Sequence, residues 1–188
     1  MRRPLALFLA SAALLGTGCV KPRPVVSSPV ADQVAVASFR TDFDSGQVSP
    51  APERLQDALA AQLTARNLEP ALVDDDQLAS LFSAGRNTRF RLARLAESAH
   101  GSPLVVLLEA ESAFYAQVAG RYRWTVAVTL SLAPQDDLDA AVTRSFEVPV
   151  FMQFYHQQED AALEEATPSI ERKLGEVLDE FLTARQQG

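Results

Sequence analysis

The sequence has few of the residues from which catalytic or metal centres are built. Its 188 residues include one cysteine and two histidines. His100 and His156 are far apart in the sequence and show no paired metal-ligand spacing, so each is interpreted as an ordinary loop or strand-end residue. A phosphate loop, a dinucleotide fingerprint and a nucleophile-elbow motif are also missing. We therefore expect no catalytic residues, no metal, no cofactor and no enzymatic activity.

Long hydrophobic runs and an excess of positive charge are missing as well. The apolar run at residues 5–15 is shorter than the roughly twenty residues that span a bilayer as a helix. The formal net charge is -7, which argues against electrostatic binding of nucleic acid. With 47% hydrophobic and 22% charged residues, the composition is that of one globular domain.

The single cysteine excludes a disulfide within the chain, and it lies at the end of the hydrophobic N-terminal segment. Arg2 and Arg3 precede the apolar run, and the small residues of LLGTGC lead to Cys19, as in a signal peptide. The pattern resembles the lipobox of bacterial lipoproteins, which implies that Cys19 is acylated and becomes the mature N-terminus. The alternative is an ordinary signal peptide with a thiol beside its cleavage point. Val20 follows in place of an aspartate that retains lipoproteins at the inner membrane, which favours the outer membrane.

The chain divides into three parts. Residues 1–18 form the predicted signal peptide, and residues 19–33 form the lipidated cysteine with a proline-rich tether containing Pro22, Pro24 and Pro29. Residues 34–188 are predicted to form a single α+β periplasmic domain. The tether is expected to hold this domain away from the membrane.

The first half of the domain alternates between strand and helix patterns. A strand is predicted at 34–39, a helix capped by Ser49 with Pro50 at its first position, and an edge strand at 68–73. Further helices are predicted at 76–82 and at 88–99, the latter capped by Thr88.

From residue 103 the hydrophobic period changes to two, which predicts three consecutive antiparallel strands. A two-residue turn at Ala119 and Gly120 would place Glu109 and Glu111 on the face that carries Trp124. A three-residue loop at 118–120 keeps apolar residues opposite apolar ones, so we predict that loop. The chain should end in a helix that begins or kinks at Pro168, with Thr167 as its cap. The expected fold is thus α+β, a mixed sheet with a three-stranded antiparallel meander and helices packed mainly on one face.

Three surface features are candidate binding sites. The turn DFDSG at 42–46 and the three aspartates at 74–76 offer oxygen ligands for calcium, but they fit a solvated turn and a helix cap better. The aromatic segment FMQFYHQQ ends the third strand of the meander. If one face of the meander is exposed, four residues form an interaction patch of the kind enriched at protein interfaces: Phe151, Tyr155, Tyr115 and Arg123. The alternative is that a helix covers them.

The first half of the domain resembles one group of envelope lipoprotein domains in the order of its segments: VAVASF, DFDSG, PERLQDALAAQLTARN, LEPALV, LASLF and LARLAESAHGSPLVVLLEAE. That group includes the curli-secretion lipoprotein, the activators of penicillin-binding proteins and the N-terminal domain of the Tol-system protein TolB. The meander, RSFEVPVF and the long final helix also resemble the lipopolysaccharide-assembly lipoprotein. These resemblances imply an architecture and an envelope environment rather than a particular activity.

These observations predict a non-enzymatic adaptor anchored to membrane lipid through Cys19 at the periplasmic face of the outer membrane. Its expected partner is a protein of an envelope-assembly or export machine. The alternative is a lipoprotein that binds a lipid or small ligand between the apolar sheet face and the terminal helix.

Overall fold

The computed structural model describes residues 32–73, 82, 87–99, 101–154 and 159–187. The predictions for Cys19, His100, Tyr155, His156 and the aspartates at 74–76 lie outside these residues, as do the tether up to residue 31 and the helix predicted at 76–82 except for Phe82. The predicted end of the tether at residue 33 is wrong, because Asp32 and Gln33 already belong to the first strand. The strands are β1 (Asp32–Asp42), β2 (Val48–Pro50), β3 (Leu68–Leu72), β4 (Leu104–Val118), β5 (Arg121–Pro134) and β6 (Val142–Met152). The helices are α1 (Glu53–Thr64), α2 (Thr88–Ser98) and α3 (Glu159–Gln187).

The strands form one mixed sheet in the order β2–β1–β4–β5–β6, with β3 also paired to β1. β1 runs parallel to β3 and β4, whereas β2 pairs antiparallel with the last residues of β1. β4, β5 and β6 form the predicted antiparallel meander. Pro70 lies in β3, which pairs only with β1 and is therefore an edge strand, as predicted.

Both faces of the sheet carry helices, and α1 and α3 share one of them. The alternation of β4 and β5 places one set of apolar side chains against these two helices, whose stripes have the predicted helical spacing. The buried stripe of α1 is Leu55, Leu59 and Leu63, and that of α3 is Leu163, Ile170, Leu174 and Leu178. Trp124 packs against this core, so its predicted position facing the helices is confirmed.

α2 covers part of the opposite face. Its side chains Leu92, Leu95 and Ala96 are buried together with Phe39, Val105 and Leu107 of the sheet and with Phe82. Two of the three described helices thus lie on one face, and the predicted α+β class with a mixed sheet is confirmed.

The predicted loop between β4 and β5 is wrong. Val118 pairs with Arg121, so the connection is a two-residue turn with positive φ angles of 48° at Ala119 and 76° at Gly120. The ladder then shifts register between Phe114 and Ala116, a β-bulge that leaves one extra residue on β4. This bulge supplies the change of register for which a three-residue loop was predicted.

Three predicted helix starts are also wrong. Ser49 and Pro50 belong to β2, and α1 begins at Glu53 after Pro52. α2 is capped by Asn87, whose side chain accepts a hydrogen bond from the Arg89 amide, and not by Thr88. Pro168 lies inside α3, so the helix does not begin there, and the alternative that it kinks at Pro168 stays a prediction. The Thr167 hydroxyl donates to the Leu163 carbonyl within the helix, at 2.8 Å, and does not cap it.

Candidate functional site

The end of the meander beyond α2 carries exposed aromatic side chains on the face opposite α3. Arg123 of β5 pairs directly with Phe151 of β6, so their side chains lie on the same face. Arg123 also stacks on Tyr115 of β4, with 4.5 Å between the guanidinium carbon and the ring centroid. Tyr115 is 65% exposed and Phe151 is 47% exposed. The structure therefore brings three of the four predicted patch residues together, and the fourth, Tyr155, lies outside the described residues.

Two more residues extend this surface towards the turn. Val118 and Arg121 pair across the hairpin, and Arg121 lies two positions from Arg123, on the same face of the strand. Val118 is 44% exposed. We name the surface formed by these side chains the aromatic–arginine patch: Tyr115, Val118, Arg121, Arg123 and Phe151.

The β-bulge places Tyr115 in the patch. Phe114 pairs with Trp124 on the α3 face, and Ala116 pairs with Arg123 on the opposite face. Tyr115 is the extra residue between these pairs, and its ring lies beside the guanidinium of Arg123. Bulges often reorient a side chain in this way. The bulge was not predicted from the sequence, where its one signal was the position of Glu109 and Glu111, which a two-residue turn without a bulge would place on the apolar face.

Arg123 is partly buried and tightly held. Stacking on the electron-rich face of Tyr115 attracts the cation and restricts its side chain. Its Nε atom is buried and has no hydrogen-bond acceptor among the described residues. A guanidinium in this state has already lost part of its hydration, so it can form strong hydrogen bonds to an incoming anion.

The other face of the hairpin has its own aromatic cluster. Phe114 is 49% exposed, and its ring centroid lies 5.9 Å from that of Trp124 and 6.4 Å from that of Tyr122. Tyr122 and Trp124 also pack against the core under α3. This cluster therefore supports the hairpin from the side opposite the aromatic–arginine patch.

A buried ion pair lies nearer the middle of the sheet. Arg91 of α2 donates to Glu109 of β4 at 2.5 Å, and the Thr88 hydroxyl donates to the same carboxylate at 2.9 Å. The side chains of Arg91 and Glu109 are only 4% and 12% exposed. They line an open groove of about 170 Å³ with Thr41, Glu111, Ala127 and Thr129. Because the pair is satisfied internally, it anchors α2 to the sheet. Residue spacing alone did not reveal this contact.

The DFDSG turn uses its first aspartate to hold its own backbone. Asp42 Oδ1 accepts hydrogen bonds from the Ser45 amide at 2.6 Å and from the Ser45 hydroxyl at 2.7 Å. These bonds lower the pKa of the Asp42 carboxyl. Among the described residues, no group of three or more histidine, cysteine or acidic side chains could hold a metal ion.

The start of α3 lies beside this turn and concentrates negative charge. Arg40 forms an ion pair with Asp160. Partial burial, followed by repulsion from Asp42, raises the pKa of the neighbouring Glu159 carboxyl. The folded state therefore opposes ionisation of the Glu159 carboxyl.

The space between the sheet and α3 is filled by side chains. Ile170, Leu174 and Leu178 are fully buried there against Val128 and Leu130. In the described part of the chain, this packing gives no support to the ligand pocket that the alternative interpretation placed between them. None of the described helices is both long enough and apolar enough to cross a membrane.

Comparison with known proteins finds weak structural similarity. No family model and no curated protein matches the sequence. A PelC variant from Paraburkholderia phytofirmans, a dodecamer, is 18% identical, with 78% of this chain and 87% of that chain covered and a TM-score of 0.43. The lipoprotein GNA1162 from Neisseria meningitidis is 12% identical, with 77% and 98% covered and a TM-score of 0.40.

Rare lipoprotein B from Shewanella oneidensis is 12% identical, with 82% of this chain and 94% of that chain covered and a TM-score of 0.34. The similar structures thus include bacterial lipoproteins. TM-scores this low carry no argument about partner or activity.

Proposed function

We propose that this protein is a lipid-anchored, non-enzymatic accessory of an envelope-assembly or export machine, and that the aromatic–arginine patch binds its protein partner. The proposed place of work is the periplasmic face of the outer membrane. The exposure of Tyr115 and Phe151 on either side of the stacked Arg123 is the observation that carries the proposal.

Exposed aromatic and arginine side chains are those that most often supply binding energy at protein interfaces. Tyr115 and Phe151 present large apolar surfaces to solvent on a rigid antiparallel sheet. Burying them in a complex would stabilise it at little cost in side-chain entropy, because strand pairing and the cation stack already restrict their positions. A meander end of this kind is suited to docking.

The proposed anchor is Cys19 at the end of the basic and apolar leader. Several acyl chains, each contributing about 0.8 kcal/mol per buried methylene, hold a protein at a membrane without a spanning helix. The proline-rich tether would give the domain the reach to meet a membrane-bound partner.

The first test is photocrosslinking from position 151 in intact cells, with and without the Tyr115→Ala substitution in the same protein. The second test is a pull-down of the identified partner by the Tyr115→Ala/Phe151→Ala protein. We expect a specific protein adduct and an at least tenfold weaker complex for the Tyr115→Ala/Phe151→Ala protein, with a nearly unchanged thermal transition. Truncation of a true hot spot costs at least about 2 kcal/mol.

Phe90 provides a matched control, because it is another exposed phenylalanine beside an arginine, with 5.1 Å between its ring centroid and the guanidinium of Arg94. The Phe90→Ala protein should keep full binding. Unchanged binding by a stable double variant, or equal loss in the Phe90→Ala control, would eliminate the patch as the docking surface.

A further inference from the structure

From the charges of the aromatic–arginine patch we infer the chemistry of its partner: an acidic protein segment whose aspartate or glutamate binds Arg123 and whose apolar side chains cover Tyr115 and Phe151. This inference rests on the proposed function and adds to it the kind of residue that the partner must supply.

The patch is basic, although the chain as a whole is acidic. The sequence has 24 acidic and 17 basic residues, but the hairpin sequence SAFYAQVAGRYR at 112–123 contains two arginines and no acidic residue. On the same sheet face, Glu147 lies four residues from Phe151 along β6, a separation of roughly 13 Å. Glu111 lies at a similar separation from Tyr115 along β4, so both of these carboxylates lie four residues away from the patch along their strands.

Both arginines lack a carboxylate partner in the part of the chain that the structure describes. The ion pairs found there involve other residues, among them Arg40, Arg66, Arg91 and Arg144. Arg89 and Arg94 form ion pairs too, so in each of these residues a carboxylate of the fold neutralises the guanidinium. Arg121 and Arg123 differ from them in presenting their charge without such a partner.

The geometry of Arg123 favours a carboxylate as the incoming group. Its guanidinium carbon lies 4.5 Å from the Tyr115 ring centroid, and its buried Nε has no acceptor among the described residues. Because Nε is closed to solvent, an incoming carboxylate would meet the two terminal nitrogens of the planar guanidinium, which can bind it through two parallel hydrogen bonds. Tyr115 and Phe151 then exclude water from those bonds, which strengthens them.

A protein segment fits the surface better than an anionic membrane does. Binding of anionic lipid headgroups is typical of clusters of about four to eight basic residues, whereas the patch contains two arginines and no lysine. In addition, β6 is an edge strand of the sheet and carries Phe151 near its end. A free edge can pair with an extended segment of another protein while the neighbouring side chains select its sequence.

The experiment uses the full-length protein in cells, with the photocrosslinking residue at position 151 and mass spectrometric identification of whatever is attached. We expect a peptide of a protein partner with an aspartate or glutamate within a few residues of the crosslink. In the same background, Arg123→Gln should lower the adduct yield at least tenfold, and Arg123→Lys should retain part of it. Arg94→Gln, which removes the stacked arginine of α2, is the matched control and should have no effect.

A charge exchange then decides the pairing. Arg123→Glu should abolish the adduct, and replacing the acidic residue found in the partner by arginine should restore it. A crosslinked peptide without acidic residues, or a yield insensitive to Arg123→Gln, would overturn the inference but leave the proposed protein docking intact. An adduct with lipid in place of protein would overturn both. The lack of any adduct would refute the proposed function itself, and the inference with it.

Discussion

The buried ion pair between Arg91 and Glu109 makes a quantitative prediction about how α2 is attached to the sheet. The pair joins α2 to β4 at 2.5 Å and is supported by Thr88 on the carboxylate and by the Phe82 carbonyl on the guanidinium, at 3.3 Å. We consider Arg91→Met, Glu109→Met and the double replacement. Methionine removes the charge and keeps an unbranched chain, which is similar in length to glutamate and shorter than arginine.

Each single replacement leaves a charge without its counterion. Loss of one partner of a buried pair costs about 3 to 5 kcal/mol, because the remaining charge stays desolvated. Glu109 borders the open groove and is 12% exposed, so water can reach it in part and the Arg91→Met cost should be near 3 kcal/mol. Glu109→Met leaves Arg91, which is 4% exposed, and should cost at least as much.

The double variant removes both charges and should lose much less stability than the sum of the single variants. A favourable coupling energy of about 2 to 3 kcal/mol is expected from the double-mutant cycle. Urea denaturation of residues 31–188, which form one compact unit, is the measurement. With a slope near 2 kcal/mol per molar urea, a loss of about 3 kcal/mol moves the midpoint by about 1.5 M.

The exposed pair Arg94–Glu97 on the same helix is the matched control, with side chains 41% and 64% exposed. Its disruption should cost less than about 1 kcal/mol, as for other surface pairs. If the single variants at Arg91 and Glu109 cost no more than this control, or if their effects simply add, the pair does not anchor α2 and the reasoning fails.

Three further predictions concern the turn, the start of α3 and the anchor. Gly120→Ala should lower the free energy of unfolding by about 1 kcal/mol through its φ of 76° alone, since an added Cβ meets nothing within 4 Å. Ala119→Asn should raise it by about a few tenths of a kcal/mol, because asparagine tolerates a positive φ better than alanine does. Equal effects of the two substitutions would contradict the turn. Glu159→Gln should stabilise the fold at neutral pH, because a raised carboxyl pKa makes ionisation of Glu159 costly in the folded state. The gain in unfolding free energy should vanish as the pH falls below 4.5, where the carboxyl is protonated in both states. A gain that does not change with pH would contradict this reasoning. Mass spectrometry of the membrane-extracted protein should find Cys19 acylated, and an unmodified thiol would refute the anchor.

Apolar periodicity was sufficient to predict the strands of the meander and the buried faces of the helices. Leu55, Leu59 and Leu63 of α1 recur at helical spacing and are all fully buried. The alternation through Trp124 and Val128 likewise predicted which face of β5 meets α3. These predictions succeeded because the side chains that face a core repeat with the local backbone period, whatever lies opposite them.

Helix starts were predicted less well, because the residues that cap helices are also common in turns and edge strands. Ser49 and Pro50 fit a helix start, yet they pair with β1 as the short strand β2. Pro168 fits a first helical position but lies within α3. Local preferences of this size are overridden when pairing or packing elsewhere stabilises the chain more.

The sequence by itself determined the fold class, the alternation of strand faces and the apolar stripes of the helices, since each depends on neighbours within a few residues. Only the tertiary structure decided the β-bulge at Tyr115, the ion pair of Arg91 with Glu109 and the exposure of Phe151. These features depend on register and on which part of a sheet face a helix covers. Both are set by contacts between residues distant in the chain, and a sequence period carries no record of them.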